Sequence, residues 1–246
     1  MPPTNIPLYR TLLDIAAIWT IATVGYYTVL PTFGITPSYN ESPIALALYY
    51  LVWLAVSVYW FWNIFDDHLP SRRYLWRYLI ISSGIGAALV PGIYTLTLLP
   101  APDVLALSSL PDIVLATPWY LIPKAADILV QQTLIAVLVF ALAAHLQSLK
   151  SIISAYAITF GGAHVVLFLL NNTATPLALI LTVGAILSAI IFPYLILRVP
   201  GGLIWSYAIH LAFYIVLIAL LHTLPAPHPF APIKIASHES LTAYTI

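Results

Sequence analysis

The feature that most limits what this chain can fold into is the alternation of long apolar stretches with short, turn-forming breaks. Seven stretches, near 11–33, 43–65, 74–99, 119–146, 151–170, 175–197 and 202–224, carry almost no charge in their interiors. Each is long enough to cross a bilayer, which takes about 20 residues at about 1.5 Å rise per residue. Between them stand Pro31 and Gly34, Pro70-Ser71, Pro100-Ala-Pro102, Pro118, Asn171-Asn172 and Pro200-Gly201-Gly202, residues that punctuate helices. In lipid the backbone must satisfy its own hydrogen bonds, so each stretch predicts a helix. Short breaks make neighbouring helices antiparallel. The expected fold is all-α: a polytopic, integral membrane bundle of seven transmembrane helices, with residues 1–224 as one transmembrane domain.

Composition agrees. With 62% hydrophobic and 7% charged residues and a mean hydropathy of +0.99, the chain cannot cover a water-soluble surface. Formal net charge is zero, which gives no footing for nucleic acid as a partner; the lipid bilayer is the expected one. Cysteine is absent, which removes disulfides, thiolate metal sites and a thiol nucleophile. The first apolar stretch lacks a small-residue cleavage site and is too long for a signal-peptide core, so it reads as a permanent span. If the N-terminus is cytoplasmic, Arg10, Arg72, Arg73, Arg77, Lys150 and Arg198 all fall on the cytoplasmic side. Glu41, Asp103 and Asp112 then face outward. That cation bias predicts N-terminus in and C-terminus on the opposite side.

Two segments stand outside this plan. Residues 101–117, APDVLALSSLPDIVLAT, are apolar but short and interrupted by Pro111; they read as a re-entrant or interfacial helix on the outer face. Residues 225–246 carry Pro225, Pro227, Pro229 and Pro232 without helical period and read as an extended tail. Tyr9, Tyr74, Trp76, Trp119, Tyr120, Trp205 and Tyr207, near span ends, suit interfacial anchoring.

Against this apolar background a few side chains are out of place. The fourth span holds Lys124, Asp127, Gln131, Gln132 and His145, the fifth His164 and the seventh His210. Polar groups inside spans are costly and point at a cavity or at one another. Gln131 lies roughly 18 Å below Trp119, His164 roughly 20 Å from Ser151 and His210 about 12 Å from Gly202. Three antiparallel helices thus bring a carboxylate, two amides and two imidazoles to comparable depth. Asp127 and Gln131 are one turn apart on one face, and Lys124 is spaced to pair with Asp127. Each residue alone also serves as interhelical glue. Two imidazoles, with Asp127 as the only third ligand and no HExxH spacing, make a poor zinc site, and no metal or other cofactor is expected. His68, in Asp66-Asp67-His68 beside Arg72 and Arg73, reads as a solvated, charge-balanced turn at the membrane edge. His222, His228 and His238 have no metal-ligand spacing. No nucleophile-elbow motif supports a serine triad.

The order of these residues carries a resemblance. Gln131-Gln132, with Ala136 four positions after Gln132, is followed by Phe160-Gly-Gly-Ala-His164. One span is skipped, and Leu197-Arg-Val-Pro-Gly-Gly-Leu-Ile-Trp205 leads into His210-Leu-Ala-Phe-Tyr214. From Ala126 to Tyr214 the chain resembles the CPBP family of intramembrane proteases, which includes type II CAAX prenyl endopeptidases and bacteriocin-processing or immunity proteins. That family has Glu-Glu-x-x-x-Arg, Phe-x-x-x-His and His-x-x-x-Asn helices in this order. The resemblance implies a CPBP-like core at about 119–224, with a membrane cavity where a glutamate activates water and histidines hold it and stabilise the oxyanion. His164 and His210 keep the family's positions. Gln131 and Gln132 replace its glutamates, Ala136 its arginine and Tyr214 its asparagine. An amide cannot take a proton from water, which forfeits a step worth roughly 10²–10⁴-fold.

Three readings follow. The bundle has lost proteolysis and acts as a membrane-embedded binding or accessory subunit for a lipid, a transmembrane peptide or another membrane protein. Alternatively it is a divergent endopeptidase, in which His164 and His210 polarise water and Asp127 is the base. The third reading is a small transporter or channel, to which Gly161-Gly162 and Pro193 would give bending but which lacks inverted repeats.

Overall fold

The structure, a computed structural model, describes residues 7–96, 112–113, 116–170 and 176–223. Among them every regular element is helical. The chain begins with α1 (Leu8–Val24), which continues through a π-helical turn (Gly25–Val29) into α2 (Leu30–Thr32) as one rod. Gly34, at φ 73°, closes the rod, with its amide and that of Ile35 donating back to Pro31 and Leu30. This is the left-handed stop that glycine makes at little cost.

Pro43 opens α3 (Pro43–Trp60), at a position where a missing N–H costs nothing. There follow α4 (Trp62–His68) and α5 (Arg72–Leu96). A 3₁₀ turn (Pro118–Tyr120) leads into α6 (Leu121–His145). The Ser148 side chain accepts from the Ser151 amide at 3.0 Å and so caps α7 (Leu149–Tyr156). A second π turn (Ala157–Gly161) joins α7 to α8 (Gly162–Leu170). Then come α9 (Pro176–Arg198) and α10 (Gly202–Thr223).

Six of these helical runs are long and apolar enough to cross a membrane: 8–32, 43–60, 121–145, 149–166, 179–198 and 202–221. A multi-pass, all-α membrane bundle is therefore the architecture. The expected span near 74–99 corresponds to α5, a 25-residue helix that opens on Arg72, Arg73 and Arg77. The expected helix at 101–117 lies, apart from residues 112–113 and 116–117, outside the described residues, as does the tail 225–246.

The bundle is built around α6. Of its most apolar window 78% is buried, against 6–33% for the other five spans. From Ile128 to Leu142 every residue except Gln131 is buried. A helix apolar on all sides belongs in the middle of a bundle, and α1, α3, α5, α7, α9 and α10 all pack on it. One core cluster joins Ile18 of α1, Leu54 of α3, Tyr78 of α5, Ile128 of α6 and Tyr207 and Leu211 of α10.

Two close approaches need glycine. At Gly25 a Cβ would lie 2.5 Å from the Tyr49 hydroxyl, which donates to the Ala22 carbonyl at 2.5 Å and ties α1 to α3. In the α9–α10 turn Gly201 has φ 73°, and a Cβ on Gly202 would overlap the Leu195 carbonyl.

At the other end of α3, Asp66 and Arg72 pair at 3.0 Å while both stay exposed, which contributes little to stability. His68 is not a solvated turn residue. It is half-buried, its Nδ1 bonded to the Ile64 carbonyl at 3.0 Å and its ring stacked on Phe140 at 5.1 Å.

Candidate functional site

Tyr120, Lys124, Asp127 and Gln131 recur every three or four residues, so they form one stripe down α6. The ammonium of Lys124 donates to Asp127 Oδ2 at 2.8 Å, the pair their spacing predicts, and both residues are buried. Gln131 Nε2 donates to Asp127 Oδ1 at 2.8 Å. A third donor comes from outside the helix: the Tyr39 hydroxyl reaches Asp127 Oδ2 at 3.0 Å. Tyr39 has a single hydroxyl hydrogen, committed to an acceptor-only carboxylate. The Tyr50 hydroxyl therefore supplies the proton of the 2.7 Å bond between the two tyrosines. Burial, with Asp127 beside it, holds the Tyr39 hydroxyl well above its ordinary pKa, so it stays a donor. Lys124 Nζ also lies 4.1 Å from the Tyr214 ring centroid and 5.7 Å from that of Tyr39, distances suited to cation–π attraction.

Tyr39 is held there by the loop that bears it. Its amide donates to Asp112 Oδ2 at 2.7 Å, Asn40 Nδ2 donates to the Asp112 carbonyl at 3.1 Å, and Asn40 Oδ1 accepts from Thr117 at 2.8 Å. Beside this arrangement lies a cavity of about 810 Å³, walled by α1, α3 and the α6 stripe. Its lining includes Trp19, Tyr26, Tyr39, Tyr50, Trp53, Asp112, Tyr120, Lys124, Asp127 and Gln131.

Gln132 follows Gln131 by about 100° around the helix and so faces elsewhere. It is completely buried, and its Oε1 lies 3.2 Å from His210 Nδ1. Its Nε2 has no hydrogen-bond partner, a deficit that costs about 1–3 kcal/mol. A second cavity, of about 320 Å³, opens between α6, α8, α9 and α10. His164 and His210 both line it, with Gln131, Ser188, Phe192 and Tyr214. His164 Nδ1 lies 2.9 Å from the Phe160 carbonyl. A carbonyl only accepts, so Nδ1 carries a proton. By the same logic His210 donates from Nδ1 to Gln132 Oε1.

The sequence-predicted residues, apart from the fully buried Gln132, thus divide between two cavities. Asp127 lines the first, His164 and His210 line the second, and Gln131 lines both. Asp127 makes its hydrogen bonds to Lys124, Gln131 and Tyr39 rather than to an imidazole. Among the described residues no three His, Asp or Glu side chains are placed to hold a metal ion. Sequence reasoning missed Tyr39, Tyr50 and Asp112. Tyr39 stands 88 positions from Asp127 in a loop, and no local pattern announces such a partner. Chemically, the first cavity offers a paired ammonium and carboxylates among aromatic faces, and the second offers two imidazoles in an apolar setting. Comparison with known protein families, with curated proteins and with solved structures gives no match for this chain.

Proposed function

We propose that this chain is a membrane-embedded binding or accessory protein without proteolytic activity, its cavities taking a lipid, a transmembrane peptide or a segment of a partner protein. The reading includes seven spans, with α5 among them, the N-terminus cytoplasmic and the C-terminus on the opposite side. One observation carries it: both oxygens of Asp127 already accept from Lys124, Gln131 and Tyr39. A carboxylate so engaged is held by its own chain and is a poor base for water. The two imidazoles that share the second cavity favour a second reading, a divergent endopeptidase in which His164 and His210 polarise water.

The experiment is a cleavage assay of the purified full chain against membrane-embedded peptides, beside its His164→Ala and Gln131→Glu variants. The binding reading expects no cleavage by any of the three. It also expects Gln131→Glu to lower thermal stability, because a second carboxylate would replace the amide donor 2.8 Å from Asp127 Oδ1. Cleavage by the unaltered chain that His164→Ala abolishes would sink it in favour of the endopeptidase.

A further inference from the structure

The cavity beside Asp127 has an axis. Its α6 wall runs from Tyr120 through Lys124, Asp127 and Val130 to Leu134, a rise of about 21 Å. The polar groups gather toward the Tyr120 end, with the Gln131 amide turned to Asp127, and Val130 and Leu134, in one cluster with Ile18 of α1, make the other end apolar. Its volume of about 810 Å³ lies in the range of small-molecule sites, which runs to about 1,000 Å³. An occupant therefore has a polar head and an apolar chain.

The sign of that head follows from the lining. The charged groups among the described lining residues are Asp112, Asp127 and Lys124, two carboxylates against one ammonium. Lys124 is already matched by Asp127 at 2.8 Å, so Asp112 remains as the net charge of the polar end. The rings of Tyr26, Tyr39, Tyr50 and Tyr120 line the same cavity, with Tyr39 at centroid distances of 5.3 Å from Tyr120 and 5.9 Å from Tyr50. Aromatic faces with a carboxylate nearby attract a cation and recognise quaternary ammonium in particular. The chain's own cation illustrates the preference, since Lys124 Nζ rests over the rings of Tyr214 and Tyr39. An anionic head would face both carboxylates, with only an already paired lysine to answer it.

We propose that this cavity, between α1, α3 and α6, binds an amphipathic ammonium, with its cationic head among Asp112 and the tyrosines and its chain along Val130 and Leu134. The proposal rests on the reading of the bundle as a binder and names the ligand class. Two sources share the chemistry: a bilayer lipid with a choline head, and a free single-chain ammonium. The α1 wall suits entry from the membrane, because only 6% of its apolar window is buried.

The test uses the full chain in micelles of an uncharged maltoside detergent, whose surface favours neither sign of head group. Hexadecyltrimethylammonium and hexadecyl sulfate, which share one chain length, are titrated below their micellar concentrations. The expected result is saturable binding of the ammonium at least about tenfold tighter than of the sulfate. Asp112→Asn should weaken it about tenfold, a difference of about 1.4 kcal/mol. Thr23→Trp, which fills the cavity from its exposed α1 wall, should abolish binding without needing a core to repack. Equal affinity for both amphiphiles, or ammonium binding unmoved by both variants, overturns the proposal. Native mass spectrometry from nanodiscs doped with phosphatidylcholine separates the sources: a retained phosphatidylcholine assigns the site to bilayer lipid, and retention of the single-chain ammonium alone assigns it to a free cation. Cleavage activity would overturn the binding reading while leaving the ammonium titration to be judged separately.

Discussion

At the scale of single residues, the decisive group is the Asp127 carboxylate. An ion pair taken out of water stabilises only when its remaining hydrogen-bonding capacity is met, and here Gln131 and Tyr39 meet it. Removing one partner leaves the other as an uncompensated buried charge, so Asp127→Leu and Lys124→Met should each lose about 3–5 kcal/mol of stability. The double substitution should lose less than the sum, with a coupling energy of about 1–3 kcal/mol. Unfolding in mixed micelles, run on all four proteins, measures it; strict additivity would mean that the pair contributes nothing jointly. This pair was legible from the three-residue spacing of Lys124 and Asp127. The tyrosines were not, because Tyr39 arrives from a loop fixed by Asp112 and Thr117, contacts that depend on the tertiary fold.

Among the elements, the helices were legible where apolar length and a sharp breaker coincide. Pro43 opens α3, Gly202 opens α10 and Arg198 ends α9, each within a residue of the sequence expectation. The stretch expected as 43–65 instead divides near Phe61 into α3 and α4. Hydropathy is blind to such a division, since both halves stay apolar. It is equally blind to azimuth: Gln131 and Gln132 share a depth, yet Gln131 lines both cavities while Gln132 is buried against His210. Glycines separate by the same geometric test. Gly202→Ala drives a methyl into the Leu195 carbonyl and should cost about 1–3 kcal/mol, in the range of an overpacked core. Gly84→Ala, in α5, meets no atom within 4 Å and should be neutral or stabilising by up to about 1 kcal/mol. Thermal denaturation of the two variants side by side checks the contrast, and an equal response would refute it.

For the whole molecule, the prediction concerns direction. With no native cysteine, single thiols report topology without background. Arg73→Cys should react with an impermeant maleimide only from the cytoplasmic side, and Glu41→Cys only from the other; both positions are exposed. The reverse pattern would invert the orientation read from the arginines. Which helix occupies the centre was hidden from the sequence, because all the spans are apolar and only packing ranks them. The shared wall at Gln131 has a consequence for the molecule as a thermodynamic whole. An occupant of the first cavity that draws the Gln131 amide away from Asp127 alters the surface offered by the second. By reciprocity, an occupant of the second must then change affinity in the first by the same factor. Two compartments that look separate would titrate as one linked system, with a single amide setting the exchange between them.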